Sequence, residues 1–161
     1  MKSEPQKEHQ WLQKFIGEWA CIAEMEMEPG KPAQKSHGSE SVRSLGGLWI
    51  LAEGDGEMPG GGTAETLLTL GYDPQQQRYI GTWIGSMMSH LWVYEGGTLD
   101  AARKVLTLEA QGPSFTAEGK TAHYRDVIEF KSDDHRVLTS HVQGDNGEWG
   151  RIMTATYRRK K

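Results

Sequence analysis

Three histidines in the middle and later parts of the sequence, His90, His123 and His141, stand with Arg125 as the side chains best suited to move a proton or grip a polar group. An imidazole ionises near neutral pH, so each histidine has the chemistry of a general base. None sits in a metal-binding pattern. Neither His-Glu-X-X-His nor His-X-His occurs, so a transition-metal site would require residues from separate segments to converge in space. Nucleophile motifs are missing too: there is no Gly-X-Ser-X-Gly elbow, and the run Pro59-Gly60-Gly61-Gly62 lacks the Lys and helix of a phosphate-cradling loop. Cys21 lies in an apolar stretch with no basic neighbour to activate it. Glu40 and Glu53 can be read as an acid and base pair or as two solvated charges, and His123 beside Arg125 and Asp126 is the most suggestive neighbour group. These patterns assign no catalytic residue, no metal and no cofactor.

A second set of residues suits binding rather than reaction. The stretch Gly71 to Gly96, GYDPQQQRYIGTWIGSMMSHLWVYEG, places Trp83, Met87, Trp92 and Tyr94 on two neighbouring runs with a period of two. Such a wall is apolar and polarisable, and Gly81 and Gly85 on either side of Trp83 leave room beside the indole. His90, His123, Arg125 and His141 are the candidates for its polar contacts. Two readings remain open: these aromatic residues line a cavity, or they fill a core.

The elements that must position these residues are mostly strands. Chain length, 161 residues, suits one domain with a substantial core. A helix is expected over about 5–16, where Trp11, Leu12, Phe15 and Ile16 form one apolar stripe and Gly17 provides the stop. From Trp19 the period changes to two: Trp19, Cys21, Ala23, Met25 and Met27 share one face, and Glu24, Glu26 and Glu28 the other. Further strands are expected near 36–44, 46–54, 64–73, 78–87, 90–97, 104–111, 121–132, 135–144 and 148–159. Turn signals fall between them, including Pro29-Gly30, Asp73-Pro74 and Asp145-Asn146-Gly147. By parity Thr121, His123, Arg125, Val127 and Glu129 share a face, as do Val137, Thr139, His141 and Gln143, and likewise Trp149, Arg151, Met153, Ala155 and Tyr157. Ten short strands without crossover helices exclude a βαβ fold. An antiparallel up-and-down barrel, which removes exposed edges, is favoured over a two-sheet sandwich.

Net charge is −4 and the basic residues do not cluster outside Arg158 to Lys161, so no nucleic-acid partner is expected. One cysteine, no signal-peptide pattern and no long apolar run predict a cytoplasmic protein without a membrane span.

The motif Gly17-Glu18-Trp19 after a short helix resembles the Gly-X-Trp signature that opens the first strand of lipocalins. Together with GGLWI at 46–50, GYDPQQQRYIGTWIGSM at 71–87, YEG at 94–96 and the terminal TYRR, the chain is similar to an uncharacterised bacterial family, domain of unknown function 1579. The resemblance implies a ten-stranded lipocalin-like or calycin barrel, near the fatty-acid-binding and nitrobindin types. It also implies that Trp19 closes one barrel end beneath an arginine of the last strand, Arg158 first and Arg151 second. A nitrobindin-type haem would take His141 as its ligand. The chain departs from the family at Gly85, where many members carry Asp, and from the nitrobindin type at Ala20-Cys21-Ile22. The expected protein therefore binds a small apolar or amphipathic molecule inside the barrel. A cavity enzyme using a histidine base, an isomerase or hydrolase, is the alternative, and a homodimer or interaction module is a third.

Overall fold

The computed structural model describes residues 2–26 and 30–161. The expected inward position of Met27, the outward one of Glu28 and the turn residue Pro29 lie outside the described residues.

The amino-terminal segment forms a short helix, α1 (Lys7–Trp11), which tightens into a 3-10 turn over Leu12–Phe15. The expected stripe is real: Trp11, Leu12 and Phe15 are buried. The turn ends at Gly17, whose φ of +133° only glycine adopts readily, and a Cβ there would collide with Arg159 Nη1.

Ten strands follow: β1 (Gly17–Met25), β2 (Gln34–Leu45), β3 (Trp49–Glu57), β4 (Thr63–Asp73), β5 (Arg78–Gly85), β6 (Trp92–Leu99), β7 (Val105–Pro113), β8 (Thr121–Ser132), β9 (His135–Gln143) and β10 (Trp149–Arg159). Each pairs antiparallel with its neighbours in sequence, and β10 returns to β1 through the register Trp19↔Arg159 to Met25↔Met153, closing the barrel. The up-and-down barrel expected from sequence is thus present, with every strand edge paired. The largest boundary difference is at β3, expected from residue 46. Gly46 and Gly47 have φ of 66° and 77° and make the turn instead, so the strand starts at Trp49.

One end of the barrel is plugged. The helical segment lies across it, with Trp11 edge-on to Phe15, Tyr79 and Phe130. Its position is fixed by long-range hydrogen bonds: Trp11 Nε1 donates to Arg103 O (2.8 Å) and Tyr79 Oη donates to Glu8 O (2.9 Å). Trp19 is fully buried, donates to Phe15 O (2.8 Å), and lies between two guanidinium groups, Arg159 at 4.3 Å and Arg136 at 4.7 Å. The cation expected over Trp19 is therefore not Arg158, which is exposed and paired in register with His135. Trp19 pairs with Arg159 across β1 and β10, and alternation turns the preceding Arg158 outward. Arg159 also donates to Ile16 O (2.6 Å), Lys14 O (3.0 Å) and Asp133 O (3.0 Å), tying the plug to the last strand and to the β8–β9 turn. Arg151, the second choice, lies at the opposite end with Glu26 (3.3 Å).

Among the described residues no helix is long and apolar enough to cross a membrane.

Candidate functional site

Strand alternation directs one side chain in two toward the barrel axis, and these do not fill it. Below the plug the wall encloses a cavity of about 370 Å³ that opens at the far end. Its lining is mainly apolar, from Ala23 and Met25 on β1 through Leu68, Trp83, Trp92, Leu108 and Ile128 to Leu138 and Ala155. Of the two readings left open by the sequence, the cavity is the one that the structure has.

The predicted apolar wall converges there. Trp83 and Trp92 are partners across β5 and β6, and both line the cavity with Met87 and Tyr94. Space for Trp92 comes from Gly112 on β7, where a Cβ would collide with the indole ring. Trp92 lies edge-on to Tyr124 at 4.8 Å and donates through Nε1 to Met88 Sδ (3.1 Å). Gly85 is filled over by its neighbours: a Cβ there would meet Met87 Sδ at 2.5 Å and Trp83 Cη2 at 2.8 Å. Met87 and Phe115 stand at the mouth, 39% and 67% exposed.

The predicted polar set does not converge. His123 is exposed on β8, and Arg125, two residues on, faces outward too, where it binds Glu109 (2.7 Å) and stacks on Trp149 at 4.2 Å. His141 is the register partner of Arg125, so it shares the outer face, with Nε2 3.1 Å from Thr139 Oγ1. His90 precedes β6 and lies edge-on to Trp92 at 4.7 Å, outside the lining, with its Nε2 buried and without a hydrogen-bond partner. The other strand parity is the inward one: Tyr124, Asp126, Ile128 on β8 and Arg136, Leu138, Ser140 on β9. In β10 the parity breaks at a bulge between Arg151 and Met153, so Met153, Ala155 and Tyr157 line the cavity while Trp149 and Arg151 face outward. A histidine base inside the cavity and a haem on His141 both lose their residues by this arrangement. Nor do Glu40 and Glu53 meet: Glu40 points in, and Glu53, opposite Ser41, points out.

Two polar groups that the sequence reading did not place in the cavity, one at Asp126 and one at Arg136, occupy the interior instead. Asp126 lies one step deeper than Tyr124; its Oδ2 accepts from Tyr94 Oη (2.5 Å) and its Oδ1 from Ser140 Oγ (2.6 Å), its cross-strand partner. Burial pushes the Asp126 carboxyl above the usual carboxylate range, opposed by those two hydrogen bonds and by nearby His141. The same burial, with the Asp126 charge, pushes the Tyr94 phenol well up, so Tyr94 remains a donor. At the cavity floor Arg136, 2% exposed, is ion-paired with Glu40 and stacked on Tyr157 at 3.9 Å. Cys21 and Tyr157 are register partners across β1 and β10 and line the cavity with this pair, and burial raises both the thiol and the phenol above their ordinary values. A thiol held protonated is a poor nucleophile. The signal for Asp126 was present in the sequence as a lone acid at the centre of the alternating set Tyr124, Ile128 and Phe130.

Sequence comparison assigns this barrel a family. The model described as "Protein of unknown function (DUF1579)" matches residues 4–159. The chain belongs to the DUF1579 family. No curated protein sequence matches it. Among solved structures, Rv2717c from M. tuberculosis superposes with a TM-score of 0.64 at 13% identity, covering 98% of this chain and 100% of that one. EF1p2_mFAP2b bound to DFHBI superposes with a TM-score of 0.51 at 13% identity, covering 95% and 99%. A fluorescence-activating β-barrel designed de novo gives 0.51 at 13%, covering 92% and 95%. At these identities the likeness is one of fold, and this DUF1579 chain shares with those proteins a single β-barrel spanning nearly its whole length.

Proposed function

We propose that this protein binds a small, largely apolar molecule carrying one polar group inside its barrel. The observation that carries the reading is the cavity of about 370 Å³, closed at one end, apolar on most of its wall and provided with a polar rung at Tyr94, Asp126 and Ser140 above the Arg136–Glu40 pair at its floor. Ligand pockets have that composition: apolar contact supplies affinity and a few placed polar groups fix orientation. A core of simply packed aromatics has no use for an interior carboxylate, whose burial costs stability unless something is gained. The solved barrel bound to DFHBI supports the reading only to the extent that a fold of this kind accommodates a small ligand.

Titration with the neutral solvatochromic dye Nile red tests it. Saturable binding with a blue-shifted emission is expected, together with its loss in Ala23→Trp, which places an indole in the cavity from β1. Absence of saturable binding to folded protein, or equal binding by the Trp variant, overturns the reading.

A further inference from the structure

One buried carboxylate inside the barrel, Asp126, has no ion-pair partner. Side chains of β2 alternate so that Ser36, Gly38 and Glu40 face in, whereas His37 and its partner Glu57 border the cavity as an exposed pair, with side chains 67% and 63% exposed. Glu40 is neutralised by Arg136. The lining also includes Asp55 and Glu57, both exposed; among the described residues that leaves Asp126 as the buried cavity carboxylate without an ion pair, its hydrogen-bond partners being two hydroxyls, while the nearby imidazole is that of His141 on the outer face. A carboxylate has about four lone-pair directions, and Tyr94 and Ser140 fill one on each oxygen. The remaining directions call for donors that the protein does not supply. The surroundings suit a cation as well: Trp92 and Tyr124 form the aromatic rung one step nearer the mouth, and Trp83 lies beside Trp92. Aromatic faces attract a cation through their quadrupole.

From these observations, and resting on the ligand-binding reading above, we propose that the ligand is an amine whose ammonium group seats on Asp126 while its apolar part lies against Trp83, Trp92 and Tyr124. The bound ammonium donates to the free lone pairs of Asp126 and makes the direct ion pair that no side chain of the cavity wall makes with it. An anionic ligand meets the reverse situation. It would approach the Asp126 carboxylate, and the charge of Arg136 at the floor is already neutralised by Glu40, although its Nε has no hydrogen-bond partner.

The test compares three near-isosteric probes, phenylbutylamine, phenylbutanol and phenylbutyrate, by calorimetry on the intact protein at neutral pH. The amine is expected to bind more tightly than the alcohol by about 10- to 100-fold, the range of a hydrogen-bonded charge, and phenylbutyrate more weakly than either. In Asp126→Asn the amine and the alcohol should converge, and retained phenylbutanol binding shows that this variant keeps its cavity. Binding of the alcohol at least as tightly as the amine by wild-type protein, or an amine preference that survives in a folded Asp126→Asn, overturns the cationic assignment while leaving the ligand-binding reading intact. Failure of all three probes to bind overturns both.

Discussion

Two interior acids, Glu40 and Asp126, are kept in different ways, and each difference is measurable at the level of one side chain. Glu40 is ion-paired with the buried Arg136, whose guanidinium also lies on Tyr157, Trp19 and Phe15. Removing one partner leaves a buried charge uncompensated, so Glu40→Ala is expected to cost about 3–5 kcal/mol of unfolding free energy in denaturant titration. Replacing both partners at once, Glu40→Leu with Arg136→Met, should recover most of that loss. Asp126 is hydrogen-bonded to hydroxyls rather than ion-paired, and its carboxyl is raised by burial against those bonds and nearby His141. A carboxyl raised on folding is destabilising above its folded pKa, and that penalty disappears as pH falls below its unfolded value. Hence the stability of Asp126→Asn minus that of the wild type should shrink as pH is lowered from neutral through the range between the raised and the ordinary carboxylate values. Melting temperatures of the two proteins at stepped pH read this directly, and a difference that grows on acidification would contradict it.

At the level of elements, the plug and the last strand are joined through Arg159. Its hydrogen bonds to three backbone carbonyls, those of Ile16, Lys14 and Asp133, depend on a planar fork that lysine lacks. Arg159→Lys should lower stability by about 1–3 kcal/mol, and Arg158→Lys by less than about 0.5 kcal/mol, as exposed positions do. Gly17→Ala should destabilise comparably, since its φ of +133° and the adjacent Arg159 Nη1 leave no place for a methyl group. Strand existence was legible in the sequence because alternation and turn residues mark it locally. The inward face was legible where apolar side chains dominate one parity, as in β1, β5 and β6. It was misread in β8 and β9, where polar His123, Arg125 and His141 looked like ligand contacts but belong to the outer wall. In β10 one extra residue near Ile152 shifts the phase, and nothing in that strand's composition announces it. Likewise Arg136 reads as surface charge until Phe15, Trp19 and Tyr157 are assembled around it from distant segments.

For the whole molecule, closure depends on β1 meeting β10, the pair most distant in sequence, whereas every other pairing joins consecutive strands. Contacts of long sequence separation are reached late because chain closure costs entropy before they are made. Mutations such as Ala155→Gly in β10 should therefore accelerate unfolding and leave the folding rate nearly unchanged, whereas Thr82→Ala, which removes the 2.7 Å contact with Thr69 in the β4–β5 hairpin, should slow folding. Stopped-flow folding and unfolding rates distinguish the two. The plug has a different consequence, one of traffic. A vessel with a single door exchanges its contents by the same passage in both directions, and Phe115 stands in that passage between the β7 and β8 strands. Narrowing or widening a doorway alters how fast things come and go, not how many are inside at equilibrium. Phe115→Ala should speed entry and exit by the same factor, making occupancy responsive on a shorter timescale while the dissociation constant stays put.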